Sequence, residues 1–183
     1  GGKSSRMGMD KAELLYEGQT FVENIINKVQ SLGIKNIFLS GYKGAKDDAQ
    51  VVVDIYPEVG PLGGLHAGFH VVTTLYCLVL PIDIPQIPSD FLESLLEEHF
   101  QQCENSEEKD LPLLLEREGF LEPLIGIYPV NMVAFIEERI KAQRLSVFRM
   151  LKEWGSKSYT TDILKWQLAN INTQEDYEAL LNR

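Results

Sequence analysis

Short β-prone runs alternate with segments of helical spacing along most of this chain, and that alternation restricts the fold more than any other feature. Apolar residues at 21, 22, 25, 26, 29 and 32 keep the period of a helix, and Gly33 supplies its stop. Residues 34–39 and 51–53 read as short strands, the second ending at Asp54. Gly60-Pro61 opens a predicted helix over 60–74, and 76–80 is a continuous apolar run of the kind buried on both faces of a sheet. Ser89 caps a predicted helix to about Gln101, and the polar stretch 103–110 reads as a surface loop. Residues 111–116 and 123–128 pair around Gly119, helices follow over 130–142 and 146–154, and Thr173-Gln174-Glu175-Asp176 has the capping-box pattern before a last helix. Strands alternating with helices imply βαβ units and a mainly parallel sheet, so the expected class is α/β in one domain over 1–183.

Charge narrows the function. Seventeen basic against 27 acidic residues leave a net charge of −10, which argues against nucleic-acid partners that need a basic footprint. An anionic small substrate then needs a local basic island. Two stand out: Lys3, Arg6 and Lys11 near residue 1, and Arg139, Lys141, Arg144, Arg149 and Lys152. No apolar run approaches the ~20 residues of a membrane helix. The two cysteines, Cys77 and Cys103, are too few for a disulfide scaffold, and the expectation is a cytoplasmic protein with no membrane partner.

Four constellations could carry chemistry. The string Gly1-Gly2-Lys3-Ser4-Ser5-Arg6-Met7-Gly8-Met9-Asp10-Lys11 combines glycines that admit a phosphate chain with cations that neutralise it, although composition alone favours a frayed terminus. Asp54, followed by Gly60-Pro61-Leu62-Gly63-Gly64-Leu65, suits a base or ribose site, or a polar strand end before a tight turn. Asp83 follows Leu78-Val79-Leu80, where an open α/β sheet binds its ligand and a carboxylate can hold Mg²⁺. The last is Arg144-Leu145-Ser146-Val147-Phe148 with Asn170-Ile171-Asn172-Thr173, amides and a cation that are otherwise a solvated face and ordinary caps. His66 and His70, four apart, lack a third ligand at matching spacing, and Trp154 and Trp166 read as packing residues.

The N-terminal string resembles the signature loop of the molybdenum cofactor guanylyltransferase family of nucleotidyltransferases. The Gly-Pro-Leu-x-Gly turn and the Asp83-x-Pro segment are similar to its guanine and metal segments, and Asn170-x-Asn172-Thr173 is similar to the stretch that faces its pterin. Ile82 and Ile84 depart from the residues usual there, and Ser40 stands where the family has an asparagine at the nucleotide. The resemblance implies a Rossmann-like three-layer sandwich with a mostly parallel central sheet, and a first strand ahead of residue 1. It implies a nucleotide half over 1–90 and a molybdopterin half over 91–183. It also implies an enzyme that moves GMP from GTP onto the phosphate of molybdopterin with Mg²⁺, served by cofactor-delivery proteins or molybdoenzyme chaperones.

By that resemblance Arg6, Lys11 and Asp83 are catalytic, with Asp83 on the metal. Gly1, Gly2, Lys11, Ser40, Asp54, Gly60, Pro61, Gly63, Gly64 and Asp83 take the nucleotide, and Arg144, Asn170 and Asn172 the pterin. Two other readings stand beside it. One is a transferase of the same fold using CTP or a sugar or alditol phosphate; the other is a non-catalytic nucleotide-binding or cofactor-handover subunit.

Overall fold

The computed structural model describes residues 10–105 and 110–182. A short 3₁₀ turn over Lys11–Glu13 leads into β1 (Leu15–Tyr16), β2 (Gln19–Thr20) and α1 (Phe21–Ser31). Then come β3 (Phe38–Ser40), β4 (Gln50–Val52), α2 (Pro61–Val71), β5 (Tyr76–Val79) and α3 (Ser89–Asn105). The remainder is β6 (Leu113–Arg117), β7 (Phe120–Pro129), α4 (Val133–Lys141), α5 (Val147–Trp154), β8 (Lys157–Thr160) and α6 (Gln174–Leu181). Two compact units emerge, interleaved along the sequence. The first holds Phe38–Leu80 and Leu95–Thr161; the second holds the described residues before Phe38, Pro81–Ser94 and residues 162–182.

In the first unit β3 and β4 pair in parallel, and a four-stranded sheet runs in the order β5-β7-β6-β8. β7 is antiparallel to both β5 and β6, and β6 is parallel to β8, so three of the four strands share one direction. The β6–β7 turn is Glu118-Gly119, both at positive φ (53° and 81°), the pairing that matches the twist of a two-residue hairpin. Cys77 and Val79 of β5 pack against a core drawn from α2, α4 and α5, including Leu65, Phe69, Ile136 and Met150. On the opposite face of β5, Tyr76 meets the ring of His99 on α3 edge-on at 4.4 Å. Helices thus cover both faces of this strand. All four β5 residues are nevertheless half-buried rather than buried, and among the described residues β5 pairs on one side only, with β7.

The second unit is built around α1 and α6. Thr20 and Glu23 close a reciprocal cap on α1, which the alternation of Phe21, Val22, Ile25 and Val29 turns toward the interior. Gly33, at φ 81°, ends it. Phe21, Leu14, Ile171 and Leu180 form a small core, with Tyr177 edge-on to Phe21 and its hydroxyl donating to the Leu15 carbonyl at 2.7 Å. The β1–β2 hairpin, absent from the sequence reading, turns on Glu17-Gly18 at φ 51° and 79°, the same dipeptide device as Glu118-Gly119. Its two-residue strands are too short to show alternation.

Several predicted bounds shift. The strand read over 34–39 is β3 at Phe38–Ser40, and α3 continues to Asn105, so the predicted loop at 103–110 begins as helix. β8 is also new, because Lys157–Thr160 reads Lys-Ser-Tyr-Thr, with no apolar run and no apolar–polar alternation. Trp154 packs on the first core as expected, while Trp166 is 42% exposed. No described helix is long and apolar enough to cross a membrane.

Candidate functional site

The second unit brings three chemically pointed residues together. Asp10 caps the 3₁₀ turn by accepting from the Ala12 N–H at 3.1 Å, and Ala12 is buried, which anchors the backbone that carries Lys11. The Lys11 ammonium donates to Asn172 Oδ1 at 2.5 Å and stands 3.6 Å from Asp83 Oδ2. The Lys11 and Asp83 side chains are 17% and 21% exposed, sheltered yet reachable. Asp83 lies in the turn four residues beyond β5, with its carbonyl accepting from the Ile171 N–H at 2.8 Å. Lys28 of α1 holds the following turn by donating to the carbonyls of Pro85 and Ile87 at 2.5 and 2.9 Å. Burial pushes the Lys28 ammonium below its ordinary range, with Glu17 acting the other way.

The segment ahead of α6 is pinned with equal care. Asp176 accepts from the backbone N–H groups of Asn172 and Thr173 at 2.9 and 2.8 Å, and Thr173 Oγ1 accepts from the Asp176 N–H. The Asn172 N–H leads the interactions that hold the Asp176 carboxyl below the usual carboxylate range, followed among the favourable ones by Thr173, with partial burial opposing them. The capping box is therefore as the sequence reading has it. Asn170 is exposed and lines a cavity of about 70 Å³ with Gln86, Ile171, Asp176 and Leu180.

In the first unit, Ser40 at the end of β3 donates to Asp54 Oδ1 at 2.6 Å. Gly60 begins α2 at φ 67° and ψ −150°, a conformation all but closed to other residues, and Pro61 follows at the first helical position. The two glycines behind it are tight. A Cβ on Gly64 would stand 2.8 Å from Ser40 Oγ; one on Gly63 would stand 2.9 Å from the Tyr56 carbonyl and 3.5 Å from Asp54 Oδ2. Ser40, Asp54, Gly63 and Gly64 thus form one surface in which glycine is demanded by close approach. Beside it Tyr56 donates to Glu137 Oε1 at 2.8 Å, and Lys141 stands 3.0 Å from that same oxygen. His66 is buried and stacks on exposed His70 with ring centres 5.8 Å apart; burial pushes the His66 imidazole down. No group of three His, Cys, Asp or Glu able to hold a metal occurs among the described residues.

The basic stretch 139–152 changes character. Arg139 is fully buried, bonded through Nη1 to Glu153 and lying 5.8 Å over the Phe135 ring. Lys141 pairs with Glu137, and Arg144, 55% exposed, lies 3.9 Å from Glu153. Arg139 is therefore a structural cation and not part of any exposed island; a helical repeat of charges does not tell which one points inward. Gly1, Gly2, Lys3 and Arg6 lie outside the described residues. Lys28 and Asp176 escaped sequence reading as site residues, although the Asp176 position was visible in the capping-box pattern.

The chemistry of Lys11, Asp83 and the glycine turn suits phosphate and nucleotide handling, and comparison with known proteins agrees. Residues 1–157 match the model of the MobA-like NTP transferase domain. A probable molybdenum cofactor guanylyltransferase of Bacillus cytotoxicus is 28% identical, with 99% of this chain and 92% of that protein aligned. The molybdenum cofactor guanylyltransferase of Syntrophotalea carbinolica is 30% identical over 97% of this chain and 86% of its own. Molybdopterin-guanine dinucleotide biosynthesis protein A from Archaeoglobus fulgidus superposes over 100% of this chain and 94% of its own with a TM-score of 0.75, at 20% identity, which bears out the Rossmann-like α/β class. The chain belongs to the MobA-like NTP transferase family.

Proposed function

We propose that this nucleotidyltransferase moves GMP from GTP onto the terminal phosphate of molybdopterin, forming the guanine dinucleotide cofactor and releasing pyrophosphate. The observation that carries the reading is the Lys11–Asp83 pair, a cation and a carboxylate held 3.6 Å apart in a sheltered but open position. A binding module needs no such carboxylate. The relatives named for molybdenum cofactor guanylyltransfer support the choice of substrates.

In this reading the molybdopterin phosphate oxygen attacks the α-phosphorus of GTP, a new P–O bond forms, and the bond to the β-phosphate oxygen breaks. Such transfer is mostly positioning and charge stabilisation. Lys11 neutralises phosphate charge, and Arg6 is assigned the same task. Asp83 would hold Mg²⁺, which when bound supplies charge across the phosphates. A lone carboxylate fits that ion, since Mg²⁺ keeps several waters and takes one or two carboxylates plus substrate oxygens. Asp54 would accept hydrogen bonds from guanosine, with Ser40 holding its other oxygen and Gly1, Gly2, Gly60, Pro61, Gly63 and Gly64 keeping backbone near the nucleotide. Arg144, Asn170 and Asn172 are assigned to the pterin end. Two free thiols agree with a reducing cytoplasm; cofactor-delivery proteins are the expected partners.

The test is pyrophosphate release from each NTP with Mg²⁺ and molybdopterin. GTP alone should support it. Release with CTP at an equal rate, or no release with any NTP, would overturn the reading.

A further inference from the structure

We infer that Asn172 is a positioning residue for Lys11, so that it acts on the GTP side of the reaction as well as any pterin contact. This rests on the reading of Lys11 as the phosphate-binding cation. The geometry points to it in three steps. First, the contact is direct: Lys11 Nζ to Asn172 Oδ1 is 2.5 Å. An ammonium only donates, so the amide oxygen and not its nitrogen must face it.

Second, the backbone beneath Asn172 is held from both sides. Ile171 is 3% exposed in the core with Leu14 and Phe21, and its N–H donates to the Asp83 carbonyl at 2.8 Å. The N–H groups of Asn172 and Thr173 donate to Asp176. The Asn172 side chain leaves from a fixed frame tied to the same turn that carries Asp83. Third, a lysine has four rotatable bonds and loses much freedom when ordered. Asn172 and Asp83 are two acceptors that set where its ammonium waits, and the amide holds it without adding a charge that would compete with phosphate. One acceptor alone leaves it to swing onto Asp83 and mask the carboxylate.

Steady-state kinetics on the full chain tests this with Lys11→Ala, Asn172→Ala, Asn172→Asp and the Lys11→Ala/Asn172→Ala pair. Asn172→Ala should lower kcat/KM for GTP about tenfold, the size of one hydrogen bond to a charged group. Asn172→Asp, which keeps an acceptor oxygen but adds the competing charge, should recover only part of it. In the Lys11→Ala background, Asn172→Ala should change GTP handling by less than twofold. The cap of α6 uses the backbone of Asn172 and not its side chain, so the melting temperature should stay within a degree or two of the parent. Equal losses with and without Lys11 would overturn the inference, as would a loss confined to the KM for molybdopterin that Asn172→Asp does not rescue. If Lys11→Ala leaves GTP handling unchanged, the reading of Lys11 falls instead, and the inference falls with it.

Discussion

Around Asp54 a single methyl group has consequences. Ser40 occupies one carboxylate oxygen and leaves Oδ2 on the side where Gly63 approaches. Gly64→Ala should push Ser40 Oγ off its place, since a Cβ there meets it at 2.8 Å, and raise the GTP KM several-fold with little loss of kcat. Gly63→Leu meets the immovable Tyr56 carbonyl and should abolish GTP binding in calorimetry. Retained binding would move the base site elsewhere. Asp83→Asn should slow turnover by roughly a hundredfold or more, because a metal's charge stabilisation is worth several kcal/mol. Its melting curve should barely move, since the partly exposed carboxylate is not part of the core; turnover within a few-fold of the parent at equal Mg²⁺ would remove Asp83 from the metal.

At the scale of elements, α6 depends on a charge. The Asp176 carboxylate caps it and fixes the strand of backbone that carries Asn172, and its folded pKa is depressed. A depressed carboxylate contributes stability that is present above the unfolded value of about 4 and is lost as pH falls through the folded value. Asp176→Asn should therefore cost about 1 kcal/mol at pH 7, the usual worth of a cap, and the gap to the parent should close below pH 4. Thermal melts across pH 3–7 would check it; a gap that widens in acid contradicts the assignment. The start of α2 is set by backbone strain instead. Gly60→Ala should destabilise by roughly 1–3 kcal/mol, because φ 67° with ψ −150° belongs to glycine.

For the molecule as a whole, specific ligand binding should appear as stability. GTP with Mg²⁺ at a hundred times its dissociation constant should stabilise the fold by about 2.7 kcal/mol, and CTP at the same concentration should not. A shift of equal size with both nucleotides would favour the cytidylyl alternative. Arg139 presents a second whole-fold dependence, since it is a buried cation whose partner Glu153 is half-exposed. Glu153→Gln leaves charge buried without its counter-ion, whereas Arg139→Met leaves a carboxylate in water. The first should lower the melting temperature more than the second.

Helix periods, the Gly33 stop, the Thr173 cap and the β6–β7 hairpin were legible in the residues, because each is written in neighbours a few positions apart. The motif residues Lys11, Asp54, Asp83 and Asn172 were legible as types, and the family followed from them. Their partners were not. That Lys11 meets Asn172 across 161 positions, that Lys28 ties down the turn after Asp83, and that Arg139 faces inward are outcomes of chain segments meeting in space. Local preference decides where an element begins and ends. Which side chains share a hydrogen bond depends on the burial of Leu14, Phe21, Ile171 and Leu180 together, and only the folded second unit brings those four into one core.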